Sequence, residues 1–109
     1  MYKMYQKLEK ELTLEQVSTN PIKVTCLYFT ATWCGPCKMI KPKVKQLGQT
    51  HKDDVLFVEI DVDTYDDLSE DAGVSAMPTF VFYKEGAEVD RLTGADEKAL
   101  EMKLSLLLV

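Results

Sequence analysis

Trp33-Cys34-Gly35-Pro36-Cys37-Lys38 decides how this chain is read, because it stands between a β-branched, aromatic run and a segment of helical periodicity. Two thiols three positions apart at the start of a helix have Cα atoms roughly 5–6 Å from each other, the separation a disulfide needs. The pair can therefore open and close. A sulfur at a helix N-terminus also faces unpaired N–H groups and the positive end of the helix dipole, both of which favour thiolate over thiol. Cys34 is so placed. Gly35 permits close backbone approach, and Pro36 fixes φ while giving up an N–H that a first turn does not pair. Zinc is the other common use of Cys-x-x-Cys, but it needs a second pair of ligands. Only Cys26, in an apolar run, and His51, among lysines and aspartates, remain, so no metal is expected. A pair of inert core thiols would leave Trp33, Gly35 and Pro36 unexplained.

Upstream, residues 24–30 (Val-Thr-Cys-Leu-Tyr-Phe-Thr) alternate little, as in a central parallel strand covered on both faces. Cys26 within it reads as core, since its apolar setting gives no reason for a thiolate. Residues 5–9 suit a short edge strand. Thr13 with Gln16 has capping-box spacing for a short helix to about residue 20, closed by Pro21. Downstream, a helix from about residue 34 carries Ile40, Val44 and Leu47 and ends near 48–51, with Pro42 bending it from inside.

Residues 55–62 form the next buried strand, and strand, helix, strand in this order implies a crossover between parallel neighbours. A short helix starting at Asp63 or Thr64 holds Leu68 and Ala72 and ends at Gly73. Met77-Pro78-Thr79 leads into strand 80–83, then a turn at 84–87 and strand 88–93, an antiparallel hairpin. After Gly94, a helix capped by Asp96 puts Leu100, Leu104 and Leu107 on one stripe, which Met102, Leu106 and Leu108 broaden.

A chain of 109 residues, 46% hydrophobic, buries a core without disulfide staples, and one domain over 1–109 is expected. Three unevenly spaced cysteines do not make a secreted disulfide framework. Thirteen basic against 18 acidic residues, a net charge of −5, argues against binding nucleic acid. Glu59, Asp61, Asp63, Asp66, Asp67, Glu70 and Asp71 read mostly as a solvated face. Residues 1–7 lack the apolar stretch of a secretory leader, and no run is long enough to span a membrane, so a cytoplasmic location is expected.

The element order, the Cys-x-x-Cys between a central strand and its helix, and Met77-Pro78-Thr79 before a later strand together resemble the thioredoxin family. The likeness runs from about Tyr5 onward and is tightest in residues 31–42, Asp61-Val62-Asp63 and Met77-Pro78-Thr79-Phe80. It implies an α/β fold with a central mixed sheet of four to five strands, about four flanking helices, and a C-terminal antiparallel hairpin plus helix. It further implies that Cys34 is the exposed attacking thiol, Cys37 the buried resolving thiol and Trp33 their aromatic neighbour. Asp63 supports the site as part of the Asp61-Val62-Asp63 match. Pro78 matches the family's cis-proline, Met77 lends backbone to an incoming peptide, Gly94 leaves room for it, and Pro42 kinks the helix. The Gly-Pro pair is typical of reducing members. Where the family usually has a buried aspartate six positions before the first cysteine, this chain has Tyr28. A neutral phenol cannot replace a carboxylate as base. It either donates to a thiolate or fills core volume and bonds a nearby carbonyl.

The expected chemistry is dithiol–disulfide exchange on protein disulfides, with Cys34 and Cys37 catalytic, recharged by an NADPH-dependent thioredoxin reductase. Peroxiredoxins and other disulfide proteins are the implied substrates, no cofactor sits on the chain, and a monomer is expected. Lys38 either adds positive charge or is a solvated helix lysine. Trp33 either packs or contacts substrate. The alternatives are a redox-dependent binding module of low turnover, and an oxidase or isomerase, which usually has another pair between the cysteines.

Overall fold

The computed structural model describes residues 5–109, so the reading of residues 1–7 as leader-free falls partly on residues outside the described ones. A run that must be covered on both faces belongs in the middle of a sheet, and β2 (Val24–Thr30) is buried along its first six residues. It pairs in parallel with β3 (Val55–Asp61) and antiparallel with β4 (Thr79–Lys84). The edges are β1 (Tyr5–Lys7), parallel to β3, and β5 (Ala87–Thr93), antiparallel to β4. The order β1-β3-β2-β4-β5 gives a five-stranded mixed sheet. Its four helices are α1 (Leu14–Ser18), α2 (Gly35–Thr50), α3 (Asp66–Asp71) and α4 (Glu97–Leu107).

Two apolar layers sandwich the sheet. One gathers Leu27, Phe29, Val58, Ile60 and Leu68 with both cysteines of the motif. The other packs Tyr28, Phe57, Phe80 and Phe82 against Ile40 and Val44 of α2 and Leu100 and Leu104 of α4. Adjacent residues of β2 point to opposite layers, the period of two that a strand imposes.

The caps follow their sequence signals. Thr13 Oγ1 accepts the Gln16 N–H at 3.1 Å while Gln16 Oε1 accepts the Thr13 N–H at 2.9 Å. The Asp96 carboxylate accepts the Ala99 N–H at 3.0 Å. At the hairpin, Glu85 and Gly86 both have positive φ, the twist a two-residue turn between right-handed strands requires.

Four expectations are corrected. Helix α1 stops at Ser18, because Thr19 is already extended and Pro21 is not what ends it. Helix α3 starts at Asp66 instead of Asp63 or Thr64, because Asp61 Oδ1 accepts the N–H groups of Asp63 and Thr64 and holds that stretch as a turn. Met102 and Leu106 are 65% and 67% exposed, so the buried stripe of α4 is narrower than its composition suggests. Glu59, grouped with a solvated acidic face, is only 5% exposed.

Candidate active site

The loop leaving β2 closes on itself, with the Cys34 N–H donating to the Ala31 carbonyl at 3.1 Å, and Cys34 then becomes the N-cap of α2. Its Sγ accepts the Cys37 N–H at 3.2 Å, the place an oxygen takes in an ordinary cap. Cys34 and Cys37 are joined as a disulfide, with Cα atoms 5.3 Å apart. In the reduced protein the same N–H and the helix dipole lower the cost of a thiolate at Cys34. Cys34 keeps 5% of its surface exposed and Cys37 none. Cys34 is therefore buried and not the exposed thiol expected, although it is the more accessible of the pair.

Trp33 is 66% exposed, which removes the packing reading. Its indole Nε1–H donates to Asp63 Oδ2 at 2.9 Å, and Asp63 is itself placed by its N–H on Asp61. A large ring is thus held in a fixed pose at the surface beside the sulfurs. A Cβ at Gly35 would meet nothing within 4 Å, so the close approach that glycine permits is not toward this chain's own atoms. Pro36 lies in the first turn of α2, and Lys38 is exposed. Pro42 is inside α2, where it gives up one backbone bond.

Strands β2 and β4 run antiparallel, with Phe29 opposite Thr79, so the start of β4 and the end of β2 share one end of the sheet. The peptide bond Met77-Pro78 is cis, Pro78 is buried and Met77 half-buried against the first core layer. The Gly94 N–H donates to the Pro78 carbonyl at 2.9 Å, with Gly94 at φ 107°, a conformation that excludes most side chains. Open space lies where its Cβ would be.

Tyr28 is fully buried, stacks on Phe80 with ring centroids 5.1 Å apart, and donates its hydroxyl to the Cys37 carbonyl at 2.8 Å. That is the carbonyl-bonding alternative, and burial pushes the phenol above its ordinary value. Cys26 is fully buried, and burial pushes its thiol well up, which keeps it protonated. Among the described residues no group of three or more His, Cys, Asp or Glu could hold a metal.

One cluster beside the site was not visible in the sequence. Glu59 on β3 accepts the Tyr5 hydroxyl from β1 and pairs with Lys41 Nζ of α2 at 3.1 Å. Burial and the neighbouring Glu59 push the Tyr5 phenol far up. A glutamate inside the run 55–61 was the only available signal, and its partners lie on other elements.

A disulfide across the first turn of a helix, with a cis-proline at the same end of the sheet, defines a dithiol redox protein. The Thioredoxin family matches residues 4–105. Thioredoxin of Mus musculus is 42% identical over 96 residues, covering 88% of this chain and 90% of its own. The solved thioredoxin of Malassezia sympodialis superposes with a TM-score of 0.87 at 37% identity, over 96% of this chain and 91% of that one. A second structure, from work on how a yeast mitochondrial 1-Cys peroxiredoxin is resolved through the glutathione and thioredoxin systems, gives 0.83 at 36%, covering 93% of each chain. This chain belongs to the thioredoxin family, has its fold, and is a thiol–disulfide oxidoreductase.

Proposed function

We propose that the protein reduces protein disulfides in two steps, with Cys34 attacking and Cys37 resolving. The Cys34 thiolate displaces one sulfur of the substrate to give a mixed disulfide; Cys37 then attacks Cys34 and releases the reduced substrate. Holding the second sulfur in contact makes that step intramolecular. The observation that carries the assignment of roles is the Cys37 N–H on Cys34 Sγ, together with the small accessible surface that Cys34 keeps and Cys37 lacks. Trp33, Met77, Pro78 and Gly94 form the substrate-facing rim, and Asp63 positions Trp33 through its indole N–H.

The family works with thioredoxin reductase, and we assign an NADPH-dependent enzyme of that kind as the source of electrons. A peroxiredoxin is a fitting substrate, given the system in which one structural neighbour was studied. We place the protein in the cytoplasm as a monomeric electron carrier, a reading supported by the reducing-type Gly-Pro pair and by a third cysteine kept as a buried thiol. Fractionation of cells and sedimentation of the reduced protein test these two assignments.

Cys34→Ser should abolish reduction of insulin disulfides, and turnover near wild type would end the assignment. Cys37→Ser should retain the first step and accumulate covalent adducts on Cys34. Tyr28, bonded to a carbonyl where the family usually has a carboxylate, favours the rival reading of a binding module with slow turnover. Steady-state rates with reductase and NADPH decide between them.

A further inference from the structure

Resolution of the mixed disulfide requires Cys37 to lose its proton, and Cys37 has no exposed surface. The proton must leave through the protein. A cavity of about 290 Å³ reaches Cys37, with room for several waters, and Tyr28, Lys41, Glu59 and Asp61 are in its lining.

Of these groups, Tyr28 and the lysines are unable to take a proton. Tyr28 is a neutral phenol committed as donor to the Cys37 carbonyl. The lysines are donors only. Asp61 has the same spare carboxylate capacity, with two backbone N–H groups on Oδ1 at 2.9 and 3.3 Å, but it is half-buried at the end of β3 and stands opposite Thr30, not Tyr28. Glu59 is different: it is 5% exposed and stands opposite Tyr28 in the β2–β3 register. Two donors hold it, the Tyr5 hydroxyl and Lys41 Nζ, and both reach Oε1. An ionised carboxylate offers about four lone-pair sites, so two donors leave capacity for a proton.

We propose that Glu59 is the proton acceptor for Cys37 during resolution, acting through water in this cavity. The Cys37 S–H proton passes through water to the Glu59 carboxylate, and the resulting thiolate attacks Cys34 Sγ. The Cys34–substrate S–S bond breaks as the Cys34–Cys37 bond forms, and the substrate sulfur leaves as a thiolate. The two cysteines are oxidised by two electrons, which the substrate has gained. The proton on Glu59 returns through water to solvent or to the departing thiolate. The groups facing Glu59 are Tyr5 and Lys7 from β1, Tyr28 from β2, Lys38 and Lys41 from α2, and Asp61 along β3; Lys45 sits over the Tyr5 ring, 5.4 Å from its centroid.

The proposal rests on the two-step reductase reading, and one experiment separates the two. The reduced protein mixed with 5,5′-dithiobis(2-nitrobenzoate) in a stopped-flow releases one coloured thiolate on attack by Cys34 and a second on resolution. Glu59→Gln should leave the first phase unchanged and slow the second near pH 7 by about tenfold or more, less than a directly bonded acid–base group supplies because water intervenes. The difference should close at high pH, where Cys37 ionises unaided. Lys41→Gln, at a half-exposed lysine, removes one of the two donors on Glu59 Oε1 while leaving the carboxylate in place, and should change the rate of the second phase near pH 7 with the first phase unmoved. A folded Glu59→Gln with an unchanged second phase overturns the proposal, as does an unchanged second phase in Lys41→Gln, which decides alone if Glu59→Gln does not fold. Failure of the wild-type protein to show the first phase would strike the reductase reading instead.

Discussion

Strands β2 and β5 lie in the same sheet with only β4 between them, yet they dispose of their side chains in opposite ways. Six of the seven residues of β2 are buried, whereas β5 buries none of its seven. The central strand is fixed by packing on both faces, and its C-terminal end delivers the loop that carries Cys34. Through the Tyr28 hydroxyl it also holds the Cys37 carbonyl, so the sulfur pair is anchored to the best-packed part of the molecule. The edge strand has its ladder to β4 and Leu92 against the core, and its other side-chain ties are charged. Arg91 donates to Glu88 and to the Ala72 carbonyl, each at 2.8 Å, and Lys103 Nζ meets Asp90 at 3.1 Å. Its register shifts after Phe82, so that Tyr83 pairs with Glu88 and Val89 is left over. A bulged, charged edge resists pairing with another chain. The lesson is a division of labour: packing positions the electron-transfer chemistry, while ion pairs finish the border that ends at Gly94.

The comparison breaks most readily at Phe29. Its ring has no exposed surface and lies in the same layer as the cysteine pair. Phe29→Ala should cost about 3–5 kcal/mol, the range for deleting a buried aromatic ring. Urea denaturation measures it, and a loss under about 1 kcal/mol would mean that β2 is not the packed element described. A smaller effect is expected at Tyr28→Phe. This variant keeps the stacking on Phe80 and removes one donor from the Cys37 carbonyl, so a loss of about 1–2 kcal/mol is expected. An unchanged denaturation midpoint would show that the site's backbone is held by α2 alone.

On the edge, Arg91→Ala removes the bonds from β5 to the end of α3 and the pair with Glu88 together. About 1 kcal/mol is expected, since the guanidinium is partly exposed and the carbonyls it leaves can turn to water. Denaturation under the same conditions as Phe29→Ala sharpens the contrast. Equal losses at the two sites would erase it.

Much of this was legible in the sequence, and the exceptions have physical reasons. The cysteine motif, the capping residues Thr13 and Asp96 and the run 24–30 depend on local geometry, which a sequence carries directly. Glu59 was misread because a strand buried on both faces has no alternation to mark which position points where. Its partners, Tyr5 and Lys41, are brought to it by topology. Met102 and Leu106 were misread because a leucine-rich helix offers apolar residues on more than one side, and only the docking of Leu100 and Leu104 on α2 selects the buried face. The site residues were named by motif, but the burial of Cys34 follows from its packing in a core cluster drawn from several elements. That the Tyr28 hydroxyl would find a carbonyl was foreseeable; that the carbonyl is that of Cys37 was not.

The smallest effect is the most specific one, at Glu88. The Arg91 guanidinium holds the Glu88 carboxyl below its ordinary range, chiefly by donating hydrogen bonds to it. A folded-state value that is depressed contributes stability above the unfolded value of about 4.3, and that contribution is lost as pH falls through the lower folded value. Both side chains reach solvent, so screening limits the gain to a few tenths of a kcal/mol. Glu88→Gln should therefore be less stable than wild type by that amount at pH 7 and by the same amount at pH 5. The gap should shrink below about pH 4 and vanish once the carboxyl is protonated in both states. Paired urea titrations across that range measure it. A gap that widens on acidification would mean that Glu88 is stabilised as the neutral acid, and the edge would then be held by something other than charge.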